Sequence, residues 1–299
     1  MKYFLLFALS LLDSNPALAG FMPDNWVDHT MALASFLPKD GIEYKKLTTP
    51  TMTEREFNEQ IEKANAFYKP LIKENHGVDL IFKKYWKSAT VNASASLQGK
   101  NLYISMYGGL ARRVTPDGFL AVIGHELSHF LGSYPFYGTT GWAASVEGES
   151  DYIAILSVLR NLLADETVEN AAFAKVVPAY PKAKCEAAWS SLDDKNLCFR
   201  LMMASKSIGD LLSNNTARFE TPSKKVVQKT YNGHPAGQAR LDSMVQAAIC
   251  KATFTLDTIP GADLGRNRNS VQAEQEQFPF VCNGDEVGAR PKSWFKSQL

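Results

Sequence analysis

The sequence predicts an α+β fold, mainly helical, with a small antiparallel sheet beside one buried helix. Three observations predict it. Thr53-x-x-Glu56 is a capping box that opens a long amphipathic segment. Short strand-like segments at 89–95 and 101–107 flank a Gly99-Lys100 turn. A nearly all-apolar run, Phe119 to Gly124, leads directly into His125-Glu126-Leu127-Ser128-His129.

In chain order, Met1-Lys2, an apolar run from Tyr3 to Leu12 and the small-residue end Ala17-Leu18-Ala19 read as a secretory signal peptide, residues 1–19. The run is too short to span a bilayer, no Cys follows the cleavage site, and no later segment is apolar enough for a span. The mature chain is therefore expected to be soluble, without stable membrane insertion, and periplasmic or secreted from a bacterium. Residues 20–52, with Pro23, Pro38 and Pro50, read as a lead segment, and His29 within it as surface. The main domain is expected over 53–250. Its first helix runs to about Glu74 with Phe57, Ile61, Ala64, Phe67 and Leu71 on the apolar face, and stops at Asn75-His76-Gly77. His76 there compensates the helix dipole. Strands follow at 79–86, 89–95 and 101–107. Thr115, Pro116 and Asp117 are N-cap, first-turn and dipole signals for the next helix, which ends near Gly132 with Pro135 beyond. A second buried helix runs from about Trp142 to Leu163. A helical stretch with breaks covers 185–212, where Met202 and Met203 read as core filler. His234-Pro235 opens a last amphipathic helix to about Cys250. Residues 251–299 read as a polar, irregular tail.

The chemistry is concentrated in the pentapeptide. Residues four apart share a helix face, so His125 and His129 can offer two imidazoles to one ion. Glu126 is placed to work on a water at that ion as general base. This is the minimal equipment of a zinc-dependent hydrolase, with one zinc per chain. The alternative is two satisfied core histidines, in a chain that has only five. A catalytic zinc needs a third protein ligand. Glu147 has Asp151 one turn later on its own face; Glu149 has Ile153 there and points nearly opposite. A ligating His gives its other N–H to a carboxylate. Glu147 is thus the expected ligand, and Asp151 the expected partner of His125 or His129.

H-E-x-x-H followed by E-x-x-x-D is the gluzincin arrangement. With Val91–Leu97, Leu102–Leu110 and Phe119–His129, and with His234-Pro235 leading to Arg240, the chain resembles the family of HtpX-like, BepA-like and CAAX prenyl endopeptidases over roughly 53–250. The resemblance implies a zincin-type domain and a zinc-dependent endopeptidase acting on exported or misfolded polypeptides. It implies a substrate strand just before the zinc helix, assigned to Leu102, Tyr103, Ile104, Ser105, Met106 and Tyr107, whose free edge takes an extended peptide. It makes Arg240 and His234 candidate donors to the oxyanion, His234 alternatively a plug of the open metal position. Their simpler roles are a surface salt bridge and helix capping. The His129–Glu147 connection is shorter than in many members, so the cleft wall holding Tyr134, Phe136 and Tyr137 departs from the family pattern.

A formal net charge of +1 and the absence of a basic stripe argue against nucleic acid. Four cysteines in an exported chain suggest two disulfides. Three pairings are open, and proximity favours Cys185–Cys198 with Cys250–Cys282. An alternative function is a periplasmic quality-control or assembly factor that binds unfolded clients with little cleavage. A thermolysin-type secreted protease fits the His129–Glu147 gap but not Asn92-Ala93 or His234-Pro235. The sequence leaves the oligomeric state open.

Overall fold

The computed structural model describes residues 31–37, 51–137, 144–252 and 267–299. The expected signal peptide, the rest of the lead segment with His29, and residues 253–266 of the tail lie outside the described residues.

Helix α1 (Glu54–His76) begins at the expected capping box: Thr53 accepts from the Glu56 N–H, and the Glu56 carboxylate accepts from the Thr53 N–H at 2.7 Å. It ends at Gly77, whose φ of 64° suits a residue without Cβ. The buried face starts at Phe57, Ile61 and Ala64 as expected but continues through Tyr68 and Ile72. Phe67 is exposed and Leu71 only half-buried, because each precedes by one position a residue of the buried stripe, Tyr68 and Ile72, and so is rotated to its side. His76 lies buried at the helix end with its ring edge-on to Phe130.

Four strands form one sheet: β1 (Met31–Ser35), β2 (Asp79–Tyr85), β3 (Ala93–Gln98) and β4 (Asn101–Tyr107), in the order β1-β3-β4-β2. The hairpin of β3 and β4 turns at Gly99, and Ala93, Ala95 and Leu97 face the core together with Leu102, Ile104 and Met106. The sheet is mixed rather than antiparallel, since β2 runs parallel to β4 from Asp79↔Asn101 to Tyr85↔Tyr107. The strand with the cleanest buried alternation takes the centre, and the more exposed β2 takes an edge. β3 starts at Ala93 and not at 89, because Ser88 accepts from the Thr90 N–H in a local turn whose carbonyls at Trp86 and Ser88 are held by Arg112. The central position of β4 corrects one expectation. Leu102, Tyr103, Ile104, Ser105, Met106 and Tyr107 have neighbours on both sides, so this strand has no free edge for a substrate.

After a single turn, α2 (Gly108–Ala111), comes α3 (Pro116–Leu131), with Thr115 capping Gly118 N–H and Gly132 closing the helix. It is buried along nearly its whole length. Each fully buried Phe, Leu or Ile contributes about 2 kcal/mol, which offsets the cost of enclosing the polar residues that share the helix. Helix α4 (Glu147–Ile153) starts five residues later than expected and continues through a π-helical turn, Ala154–Leu159, into α5 (Arg160–Leu163). Then follow α6 (Thr167–Ala172), α7 (Ala179–Ala188), α8 (Leu192–Leu212), α9 (Gly237–Ile249) and α10 (Val271–Gln277). The expected break in the 185–212 stretch falls at Ser191, the N-cap of α8. Helix α3 packs against α1, α4, the π turn, α8 and β3, at the centre of the core.

Both disulfides pair as proximity suggested, Cys185–Cys198 joining α7 to α8 and Cys250–Cys282 tying the end of α9 to the C-terminal segment. The described part of that segment is less irregular than the sequence suggests. It holds α10 and buries Trp294 completely. A Cβ at Gly148 would lie 2.3 Å from the Trp294 ring, so glycine in α4 is what lets the segment close over this helix. A few large side chains do this anchoring, without the periodicity that marks an element in sequence.

Candidate active site

Helix α3 presents His125 and His129 on one face, and the N-terminal turn of α4 brings Glu147 opposite them. His125 Nε2 lies 3.1 Å from His129 Nε2 and 3.3 Å from Glu147 Oε2; His129 Nε2 lies 3.6 Å from Glu147 Oε1. One ligand atom from each of the three residues falls within 4.8 Å of the others, and all three are buried.

The remaining ring nitrogens decide which atoms face inward. His125 Nδ1 sits 2.8 Å from Asp151 Oδ1, and His129 Nδ1 sits 2.8 Å from the Ser145 carbonyl, with the Ser150 hydroxyl at 2.9 Å. A proton on each Nδ1 leaves both Nε2 lone pairs aimed at the same point. Two imidazole nitrogens and a carboxylate oxygen converging in a buried space need a shared cation, which is a proton on His125 Nε2 in the metal-free protein and a metal ion once that proton is expelled. Glu147 Oε2 has no hydrogen bond there. Tetrahedral ligands about 2.1 Å from a zinc ion stand about 3.4 Å apart, close to the separations observed. The donor set therefore fits zinc.

Of the expected residues, Asp151 reaches His125 and not His129, which uses a main-chain carbonyl instead. Asp151 is also gripped in a two-pronged pair by Arg240, with Nε–Oδ2 at 2.6 Å and Nη2–Oδ1 at 2.7 Å. Arg240 is buried, so the surface salt bridge considered for it does not occur. His234 stands outside the convergent group. Its Nε2 is 2.6 Å from the Ser35 carbonyl and 3.5 Å from Glu147 Oε1. Because a carbonyl can only accept, this nitrogen carries the proton and has no lone pair free for a metal. Glu149 points away, its oxygens bonded to Gln277, Ser133 and Arg290.

Glu126 is fully buried against the β3 backbone at Ala95, and neither of its oxygens is hydrogen-bonded. Burial pushes its carboxyl up to about 8, with the Glu147 charge adding to that and His125 and Arg240 opposing it. Burial would also lower His125, but Asp151 and Glu147 outweigh it and bring the imidazole up to about 9. Burial dominates at His129, which falls to about 4. Burial alone would raise Glu147, yet His125, His129 and Arg240 hold it well below the usual carboxylate range. Asp151 is likewise lowered, Arg240 and His125 outweighing its burial.

Sequence reasoning missed three contributors. Tyr137 donates to Glu147 Oε1 at 2.9 Å and stacks obliquely near His129; only its place in the cleft wall was foreseen. The Ser145 carbonyl is a backbone group and leaves no side-chain signal. Phe36, in the lead segment, lies edge-on to His125 at 5.1 Å with the Arg240 guanidinium over its ring at 4.5 Å.

Residues 54–141 match the model of Peptidase family M48. Over this stretch the chain is similar to a zinc metallopeptidase family, and the His125, His129 and Glu147 cluster fits that likeness. The match contains His125, Glu126 and His129 and ends before Glu147. No curated protein and no solved structure matches the chain.

Proposed function

We propose that the protein is an exported zinc metalloendopeptidase that hydrolyses peptide bonds in polypeptide substrates, with one zinc per chain and Glu126 as general base. The observation that carries this reading is the convergence of two imidazole Nε2 atoms and a carboxylate oxygen beside a second carboxyl group, that of Glu126, with neither oxygen hydrogen-bonded.

His125, His129 and Glu147 would hold the ion. Bound there, zinc would act as a Lewis acid and lower the pKa of water to about 7. Glu126 takes the proton of the attacking water and delivers it to the departing amine. Asp151 keeps His125 in the tautomer whose Nε2 faces inward, and Arg240 fixes Asp151. The His234 N–H and the Arg240 guanidinium are the donors available to substrate carbonyls and to the developing oxyanion. Burial of the whole group keeps bulk water from weakening these interactions.

Export is supported by two disulfides and by the signal-like N-terminus. Among the described residues no helix is long and apolar enough to cross a membrane. The strand beside the site is β3, and substrates are expected to lie along Ala93–Gln98 in the place that β1 holds in this structure. Casein cleavage by the zinc-loaded protein should disappear on chelation and return with one equivalent of zinc. Cleavage that persists in metal-free protein contradicts the reading.

A further inference from the structure

The edge of β3 beside the site is already taken by the chain's own β1. The two pair antiparallel, with Ala34 opposite Ala95 and Ser35 opposite Ser94, and the Phe36 N–H continues the ladder to the Ala93 carbonyl at 3.1 Å. The segment then crosses the site. The Ser35 carbonyl accepts from His234 Nε2 at 2.6 Å, and the next carbonyl, of Phe36, accepts from Arg240 Nη1 at 2.7 Å. Asn92 clasps the same stretch: its Oδ1 accepts from the Leu37 N–H at 3.0 Å, and its Nδ2 donates to Ser35 Oγ. The Phe36 side chain is fully buried between His125 and Arg240.

An extended segment, main-chain pairing to a strand edge, and one side chain sunk in a pocket make up the strand-addition mode of peptide binding. Here two consecutive carbonyls occupy the very donors that the catalytic reading reserves for substrate. We propose that Met31–Leu37 is an internal pseudosubstrate that holds the site closed. The space filled by Phe36 is then the subsite that accepts a bulky apolar or aromatic side chain from a substrate polypeptide. This inference rests on the peptidase reading above. A tethered segment acts at an effective concentration in the millimolar range, so substrates at lower concentration compete poorly until it is displaced. Displacement is easy for such an element: β1 is a five-residue edge strand whose register shifts between Ala32 and Ala34.

The test compares the zinc-loaded full chain with its Phe36→Gly variant on a fluorogenic casein. If the closed state holds about 90 % of the molecules, kcat/KM rises about tenfold in the variant. A synthetic peptide of the sequence Met31–Leu37 then inhibits the variant competitively, and the same peptide with glycine in place of Phe36 inhibits it far less. A Phe36→Gly protein that binds one zinc, melts cooperatively and is no faster than wild type overturns the proposal. Should that variant melt without cooperativity, Ser35→Ala decides. It loses only the Asn92 and Leu37 bonds of one hydroxyl, and its rate should rise about twofold; no rise overturns the proposal. Equal cleavage by all forms removes the pseudosubstrate alone. No cleavage by any form that holds zinc removes the peptidase reading, and this inference with it.

Discussion

Glu147 and Glu149 stand two residues apart on one helix, both fully buried, and they have opposite fates. Glu147 faces His125 and His129, keeps one oxygen without a hydrogen bond, and is held charged by the positive groups around it. Glu149 faces the C-terminal segment, where both its oxygens are bonded, and burial raises it to about 7 despite the Arg290 guanidinium 3.3 Å away. Burial and acidity are common to both, so neither identifies a site. The difference is satisfaction. A carboxylate with its partners supplied belongs to the packing of the fold, and one kept charged with an oxygen left over waits for a ligand.

The sharpest way to break this comparison is to delete each carboxylate in turn. Glu147→Ala should lose stoichiometric zinc and with it proteolysis, while the metal-free protein still folds. Glu149→Ala should keep one zinc per chain but lose about 3 kcal/mol of stability, because Arg290 is left buried with one charge partner fewer. Metal analysis and denaturant melts read both effects, and zinc loss in Glu149→Ala instead of Glu147→Ala would reverse the assignment. A smaller effect is expected one turn further on. Asp151→Asn removes the negative charge and leaves one acceptor oxygen where His125 and Arg240 together use two, and zinc affinity should fall about 10–100-fold. Unchanged affinity in a competition titration would mean that Asp151 serves Arg240 alone.

Much of the Glu147 side was legible because its signals are local. The caps at Thr115 and Gly132 bound the helix, the spacing of His125 and His129 fixes a shared face, and the i, i+4 relation of Glu147 with Asp151 separates it from Glu149. The Glu149 side was not legible. Its partners Gln277 and Arg290 come from a segment with no periodic pattern, and only the fold brings them under α4. Strand order was hidden for a related reason: alternation in β4 shows which side chains face the core but not which strands flank it. Leu102–Tyr107 was therefore expected to offer a free edge that this strand does not have. Phe36 carried no signal at all, since its significance comes from contacts with residues about 90 and 200 positions later.

The least disruptive test uses protons. In the metal-free protein His125 is raised to about 9, so below that pH it carries a proton that zinc must expel. Zinc loading at neutral pH should release at least one proton, and apparent affinity should fall about tenfold per unit as pH drops from 9 towards 7. Calorimetry in buffers of different ionisation enthalpy reads the release. A buffer-independent heat would show that the inward face of His125 is already neutral.

The most direct measurement of the central claim is zinc content alongside peptide-bond cleavage in Glu126→Gln. The substitution keeps the shape of a side chain that bonds to nothing and removes its basicity. One zinc per chain should remain, while cleavage falls about 10²–10⁴-fold. A Glu126→Gln protein that holds zinc and cleaves at the wild-type rate would contradict the account.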